Sequence, residues 1–341
     1  VKLSRTAGLV AALAGVLLSS TACSSAKEDG AAADPAFHAV TIKGALGTAE
    51  ITERPERVVS LGWSTTDAML ALGVVPVGME AQPYGGDAHG VLPWVKAKLA
   101  DMGAKTPEVL TPSSSGDPDY KAILALKPDL VLAPYSGLTQ AQYDKLAEIP
   151  GVDVVAYPTT PWATPLDQVV DISAEALGVP KARAEAVLDG LDDAVAAKAA
   201  EHPEFTGRTI ATLAPDTEQF WTYTPADPRE KLLRDLGFTT APSVERFAKT
   251  ADEGAFAVPF AYEKSTELTS DVLLTYSGSA DELKQLQGGA PYKAMAQVKT
   301  GAVANLVGAD KVAAVGPPTA LSLPWALDDL VDLLAKAVKK A

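Results

Sequence analysis

Short β-branched runs and stretches with apolar residues every third or fourth position alternate along most of the chain. Residues 40–51 (VTIKGALGTAEI) alternate polar and apolar about a glycine and predict a hairpin. VVSLG, VPVGM, LVLAP and VDVVAYP read as strands. TTDAMLALG, PDYKAILALKP, TQAQYDKLAEI and TPLDQVVDISAEALG read as the helices between them, with Thr139 as an N-cap and Gly178 as a stop. From Pro180 to about Glu201 no proline interrupts, and Ala184, Val187, Leu188, Leu191 and Val195 mark one apolar face. Such a helix is roughly 30 Å long, with Gly190 its weak point. The alternation then restarts: TIATLAP, QFWTYTP, VLLTYSG and GAVANLV as strands, DPREKLLRDLG as a helix closed by Gly237. A last amphipathic helix carries Leu327, Leu330, Val331, Leu334 and Val338 on one face. Alternation of this kind predicts an α/β chain with mostly parallel sheets. The expected division is an N-terminal α/β lobe over 39–179, a bridging helix over 180–204 and a C-terminal α/β lobe over 205–341.

The first residues follow another logic. Lys2 and Arg5 precede an apolar run from Gly8 to Leu18, too short for a membrane span, and small residues lead to Cys23. This order predicts a signal peptide over 1–22. Cys23, the single cysteine of the sequence, resembles the acceptor of a lipobox, which implies lipidation there and attachment to the cell membrane. Ser20 stands where that motif usually has Leu. The small, polar stretch over 23–38 is expected to be a flexible tether. Together these features place the protein outside the cytoplasm.

The formal net charge is -14, with 47% hydrophobic and 21% charged residues. A chain so acidic is a poor partner for nucleic acid and is expected to stay monomeric. One cysteine excludes an intramolecular disulfide, and His38, His89 and His202 are too scattered to hold a metal directly. No phosphate loop, GxGxxG turn, nucleophile elbow or zinc-protease motif is present, so no catalytic residue and no covalently bound cofactor is assigned.

Rings, in contrast, gather where predicted strands end. Trp63 follows VVSLG, Tyr84 lies in QPYGGD, Tyr135 follows LVLAP and Trp162 lies in TTPWATP. In the second half Trp221 and Tyr223 lie in FWTYTP and Tyr276 ends VLLTYSG. Ligands of open α/β sheets bind beyond the carboxyl ends of strands, and two facing lobes would bring these rims across one cleft. Ring faces and phenol hydroxyls suit a large, half-apolar metal chelate.

Several stretches resemble the iron-siderophore substrate-binding proteins of ABC importers: PERVVSLGWSTTDAMLALGVVPVG, ILALKPDLVLAPYSGLTQAQYDKLAEI, VVAYPTTPWATPLDQVVDISAEALG, YTPADPREKLLRDLGF and ALSLPWALDDLVDLLAKA. The resemblance implies two Rossmann-like lobes joined by a single long helix. It implies a ferric siderophore as ligand and an importer permease as partner, docked through one acidic residue on each lobe. The second-lobe acid falls on Glu263, where Ala261 replaces the usual Ser; the first-lobe position is Lys121, leaving Asp119 as the nearby acid. The mainly Trp and Tyr rim and the acidic chain favour a hydroxamate siderophore, with Arg234 or Arg246 as cations that could turn inward. Haem or cobalamin capture by a protein of the same class stays open, as does a secreted hydrolase.

Overall fold

The structure, a computed structural model, describes residues 37–112, 116–252 and 254–341. The predicted signal peptide, Cys23 and nearly all of the predicted tether lie outside the described residues. Phe37 already packs against Gly178, and the hairpin follows as β1 (Val40–Lys43) and β2 (Thr48–Ile51), with Val40 opposite Ile51.

The first lobe holds β3 (Val58–Ser60), β4 (Gly78–Glu80), β5 (Glu108–Leu110), β6 (Leu130–Ala133) and β7 (Asp153–Ala156). They form one fully parallel sheet in the order β5-β4-β3-β6-β7. Every residue of β3 and β6 is buried, as a parallel sheet covered by helices on both faces requires. The strand order reverses between β3 and β6. There Leu61 N–H donates to Leu132 O (2.9 Å) and Trp63 N–H to Tyr135 O (3.0 Å), so the crevice opens beside these two rings.

The second lobe holds β8 (Thr209–Pro215), β9 (Phe220–Tyr223), β10 (Thr239–Thr240), β11 (Ala257–Phe260), β12 (Val272–Ser277) and β13 (Val303–Val307). Its sheet runs β11-β9-β8-β12-β13, with β10 beside β8. Strands β10, β12 and β13 join in parallel, whereas β9 and β11 are antiparallel. The few residues between β8 and β9 cannot make the crossover that a parallel pair needs, so the chain folds back as a hairpin. Strands β5, β10 and β11 had no counterpart in the sequence pattern.

The bridging helix spans Lys181–Glu201, with Ala184, Leu191 and Val195 buried. Arg183 at its start donates to Ala71 O (3.1 Å) in the first lobe, and Lys198 near its end pairs with Asp328 (2.9 Å). Asp328 lies on the last helix, Ser322–Val338, whose predicted apolar face is buried throughout. One apolar core runs through all three parts, from Met69 and Leu132 through Leu191 and Val195 to Ile210, Leu274 and Leu330.

Candidate functional site

The second-lobe wall is built around Arg229. The helix Pro228–Asp235 starts with Asp227 as N-cap, which accepts from Arg229 N–H (2.7 Å), and Pro228 in its first turn. The same carboxylate takes both Nε (2.7 Å) and Nη2 (2.8 Å) of Arg229, a two-pronged ion pair with Asp227 fully buried. The guanidinium lies 3.6 Å from the centre of the Tyr223 ring, and Tyr223 meets Tyr276 edge-on at 5.6 Å. Burial opposes the charge of Arg229, but the hydrogen bonds to Asp227 and the neighbouring phenols outweigh it and push its pKa up. Burial likewise pushes up Tyr223 and Tyr276, so both phenols keep their protons and can donate them.

Behind this wall sits a second buried acid. Thr212 and Thr240 hold Glu230 at 3.2 and 3.1 Å, and Thr212 Oγ1 also accepts Tyr223 N–H (3.0 Å). Burial pushes the Glu230 carboxyl up to about 7. Tyr276 is itself buried beneath Tyr223 rather than standing on the rim. Trp221 shares the strand face of Tyr223 two residues away, its indole N–H donated to Asp216 (3.2 Å), and is half-buried.

On the first-lobe side Tyr135 and Trp162 meet edge-on at 5.9 Å. Their loops are tied by Trp162 N–H to Ser136 O (3.1 Å) and by Thr164 Oγ1 to Pro134 O (2.6 Å). Trp162 is left-handed (φ 58°), 41% exposed, and so close to Gly137 that a Cβ there would lie 2.3 Å from the indole nitrogen. Burial pushes the Tyr135 phenol up, and Arg229 and Asp227 lie near enough for their charges to act on it. Tyr84, 53% exposed, reaches across to the second lobe, where a Cβ on Gly278 would lie 3.3 Å from its hydroxyl. Its pKa is raised by burial and then by Glu282 and Tyr223.

Trp63 belongs to the junction at the cleft floor. Its indole N–H donates to Pro317 O (3.1 Å) in the second lobe, and its ring meets Trp94 at 6.4 Å. Beside it the buried carboxylate of Asp67 accepts from Trp94 Nε1 (2.6 Å) and, on the same oxygen, from Thr319 Oγ1. Burial pushes Asp67 up to about 6.

Tyr135, Tyr223 and Tyr276 thus share the surroundings of Arg229, with Trp162 edge-on to Tyr135 and Tyr84 near Tyr223. Trp63 joins the group through its backbone N–H to Tyr135 O, and Trp221 lies two residues from Tyr223 on the same strand. Arg229 was absent from the sequence expectation. Arg234 instead donates to Pro225 O (3.1 Å) and Arg246 to Glu267 O (3.4 Å). A cation in a first helical turn opposes the helix dipole, and a preceding Asp-Pro that neutralises it was the signal available in DPREK. Glu263 is exposed on a short 3-10 turn, Lys121 is exposed, and Asp119 is half-buried as the N-cap that accepts Ala122 N–H (2.9 Å).

A separate open hollow of about 650 Å³ lies at the ends of β4 and β5, bordered by Ala81, His89, Lys96, Glu108 and Thr111. It has no Trp or Tyr in its lining, and its Asp87 already pairs with Lys96 (2.5 Å). The rings and the cation converge at the other site.

Residues 58–255 match the family described as "Periplasmic binding protein". The chain is 28% identical over 273 residues to the "Probable siderophore-binding lipoprotein YfiY" of Bacillus subtilis, covering 78% of this chain and 77% of that one. It superposes on PiaA of Streptococcus pneumoniae TIGR4, solved in complex with ferrichrome, with a TM-score of 0.75 and 31% identity over 89% of this chain and 99% of that one. A periplasmic solute binding protein of Mycobacterium smegmatis matches with a TM-score of 0.75 and 26% identity over 88% of this chain and 99% of that one. The chain therefore belongs to the periplasmic binding protein family, where its relatives include the siderophore-binding class that its motifs resemble.

Proposed function

We propose that this protein captures a ferric siderophore of the hydroxamate type between its lobes, outside the cytoplasm, and hands it to the permease of an ABC importer. The observation that carries the reading is the Arg229 wall: a guanidinium laid on Tyr223 and paired with Asp227 through two hydrogen bonds. Because Asp227 balances the charge of Arg229, the wall offers hydrogen-bond donors with little net positive charge. Together with a chain charge of -14, it suits a neutral or weakly cationic ferric complex with oxygens on its rim better than a strongly anionic catecholate. Tyr84, Tyr135, Trp162, Trp221 and Tyr223 supply the ring faces and phenols, Tyr276 backs Tyr223 from beneath, and Trp63 closes the floor.

The named function of the YfiY relative and the ferrichrome bound by PiaA support this ligand class. Solute-binding proteins of this kind bind and deliver without turnover, which is the role assigned here. In this reading Cys23 carries the lipid anchor over the 23–38 tether, the chain acts as a monomer, and exposed Glu263, with Asp119 on the other lobe, meets the permease.

The test is a tryptophan-fluorescence titration with a ferric hydroxamate, a ferric catecholate, haem and cobalamin. Saturable quenching by the hydroxamate is the expected result. Saturation by haem or cobalamin alone would replace the ligand class, and release of a hydrolysed product would replace binding with catalysis.

A further inference from the structure

A buried polar contact joins the two lobes at Asp67 and Thr319, close to the arginine of the ligand wall. Asp67, near the start of the helix Thr65–Leu72, has its side chain out of water, and one of its oxygens accepts from Trp94 and from Thr319. Thr319 lies 252 residues further along the chain, in the loop between the helix Ala309–Val315 and the last helix. That threonine hydroxyl also accepts Ser322 N–H (3.0 Å), and Thr319 N–H donates to Ser322 Oγ (2.8 Å). The hydroxyl thus joins the start of the last helix to the first lobe. Three residues before it, Gly316 lies directly under Arg229, where a Cβ would stand 3.2 Å from Nη1 and 3.8 Å from Cδ. Pro317 O, next to it, accepts the Trp63 indole N–H. The loop Gly316–Thr319 is therefore fastened to the first lobe at two points and forms the bed on which the guanidinium rests.

We propose that Asp67 is a positioning residue for Arg229: through Thr319 it sets the Gly316–Thr319 loop, and the loop sets the guanidinium. Asp67 never touches ligand; it acts on capture by fixing the donor geometry of the opposite lobe. The contact crosses between lobes, so the loop beneath the arginine is fixed when the junction is made, in addition to the hold of Asp227 and Tyr223. The effect on affinity rests on the proposed siderophore reading; the effect on Arg229 does not.

Two readouts separate these. The first needs no ligand: the Nε–H resonance of Arg229, identified by its loss in Arg229→Lys. Thr319→Val, which keeps shape and removes the hydroxyl, is expected to shift or broaden it, and so is Asp67→Ala. Asp67→Asn keeps the accepting oxygen and Thr319→Ser keeps the hydroxyl, and both are expected to retain the wild-type signal. An unmoved resonance in Thr319→Val overturns the proposal, even if Asp67→Ala does not fold.

The second readout is titration with the ferric hydroxamate. Thr319→Val is expected to weaken binding about tenfold, the size of effect typical of residues that couple at a distance. It is expected to add nothing in an Arg229→Ala background, where a further tenfold loss would likewise overturn the proposal. If the wild type binds no ferric siderophore, the functional reading fails while the resonance still decides the positioning role.

Discussion

On the second-lobe wall Arg229 and Tyr223 are half-buried, paired and backed by further polar groups, whereas on the first-lobe wall Tyr135 and Trp162 stand on loops and, among the described residues, have only each other as ring partners. One wall is a strand and a capped helix; the other is two turns tied by backbone hydrogen bonds. The difference separates two jobs. A charged donor half out of water has to be held by an opposite charge, so its neighbourhood is dense and its removal is felt by the fold. Ring faces need no such support, so they can sit at the edge, where a bulky ligand first arrives.

The largest expected effect follows from the dense wall. Arg229→Ala leaves the Asp227 carboxylate buried without its partner. Affinity for the ferric hydroxamate is expected to fall on the order of 100-fold and stability by about 3 kcal/mol, read by titration and by chemical denaturation. Arg229→Lys is expected to fall between, since an ammonium cannot make the two-pronged contact with Asp227 while lying on Tyr223.

The second-lobe wall also carries a pH dependence near neutrality through Glu230. The fold holds Glu230 up at about 7 through burial, against an ordinary 4.5. Its contribution to stability is thus fully present below the unfolded value and is lost as pH rises through about 7, a difference of about 3 kcal/mol. Glu230→Gln, which keeps an acceptor for Thr212 and Thr240, is expected to flatten that part of the stability-against-pH curve. A decline of equal depth in the variant would break the assignment.

Trp162→Ala sharpens the comparison from the other side. With 41% of the residue already exposed, the fold is expected to lose well under 1 kcal/mol, while ligand affinity falls about tenfold. Equal losses in stability and affinity would mean that the first wall is structural after all.

The smallest change should touch neither wall. Gly190 is exposed in the bridging helix and has open space where a Cβ would go, so Gly190→Ala is expected to raise stability by about 0.5–1 kcal/mol with binding unchanged.

The parts of the molecule written in the sequence are those governed by local periodicity. The bridging helix was legible because its apolar spacing runs from Ala184 to Val195 with no proline inside, and Thr139 because its capping box is a four-residue pattern. The buried strands β3 and β6 were legible as β-branched runs. Strands β5 and β10 are only three and two residues long, and β11 contains a proline, so none carries a readable period. In the site, rings could be found because they follow strands. The junction could not, since Trp63 meets Pro317 and Asp67 meets Thr319 across more than 250 residues of chain with no local mark on either side. Arg229 looked like an ordinary helix-surface charge; its burial depends on β9, β12 and the Gly316 loop arriving around it.

Trp162 holds a left-handed backbone that only glycine adopts without steric cost, about 1 kcal/mol or more for other residues. Its backbone N–H is tied to Ser136 O, and its indole is wedged over Gly137, which leaves it few alternative rotamers to give up. An exposed aromatic normally loses side-chain entropy when a guest immobilises it. Here most of that loss has been taken during folding, so more of the stacking energy is free to appear as affinity when the guest arrives.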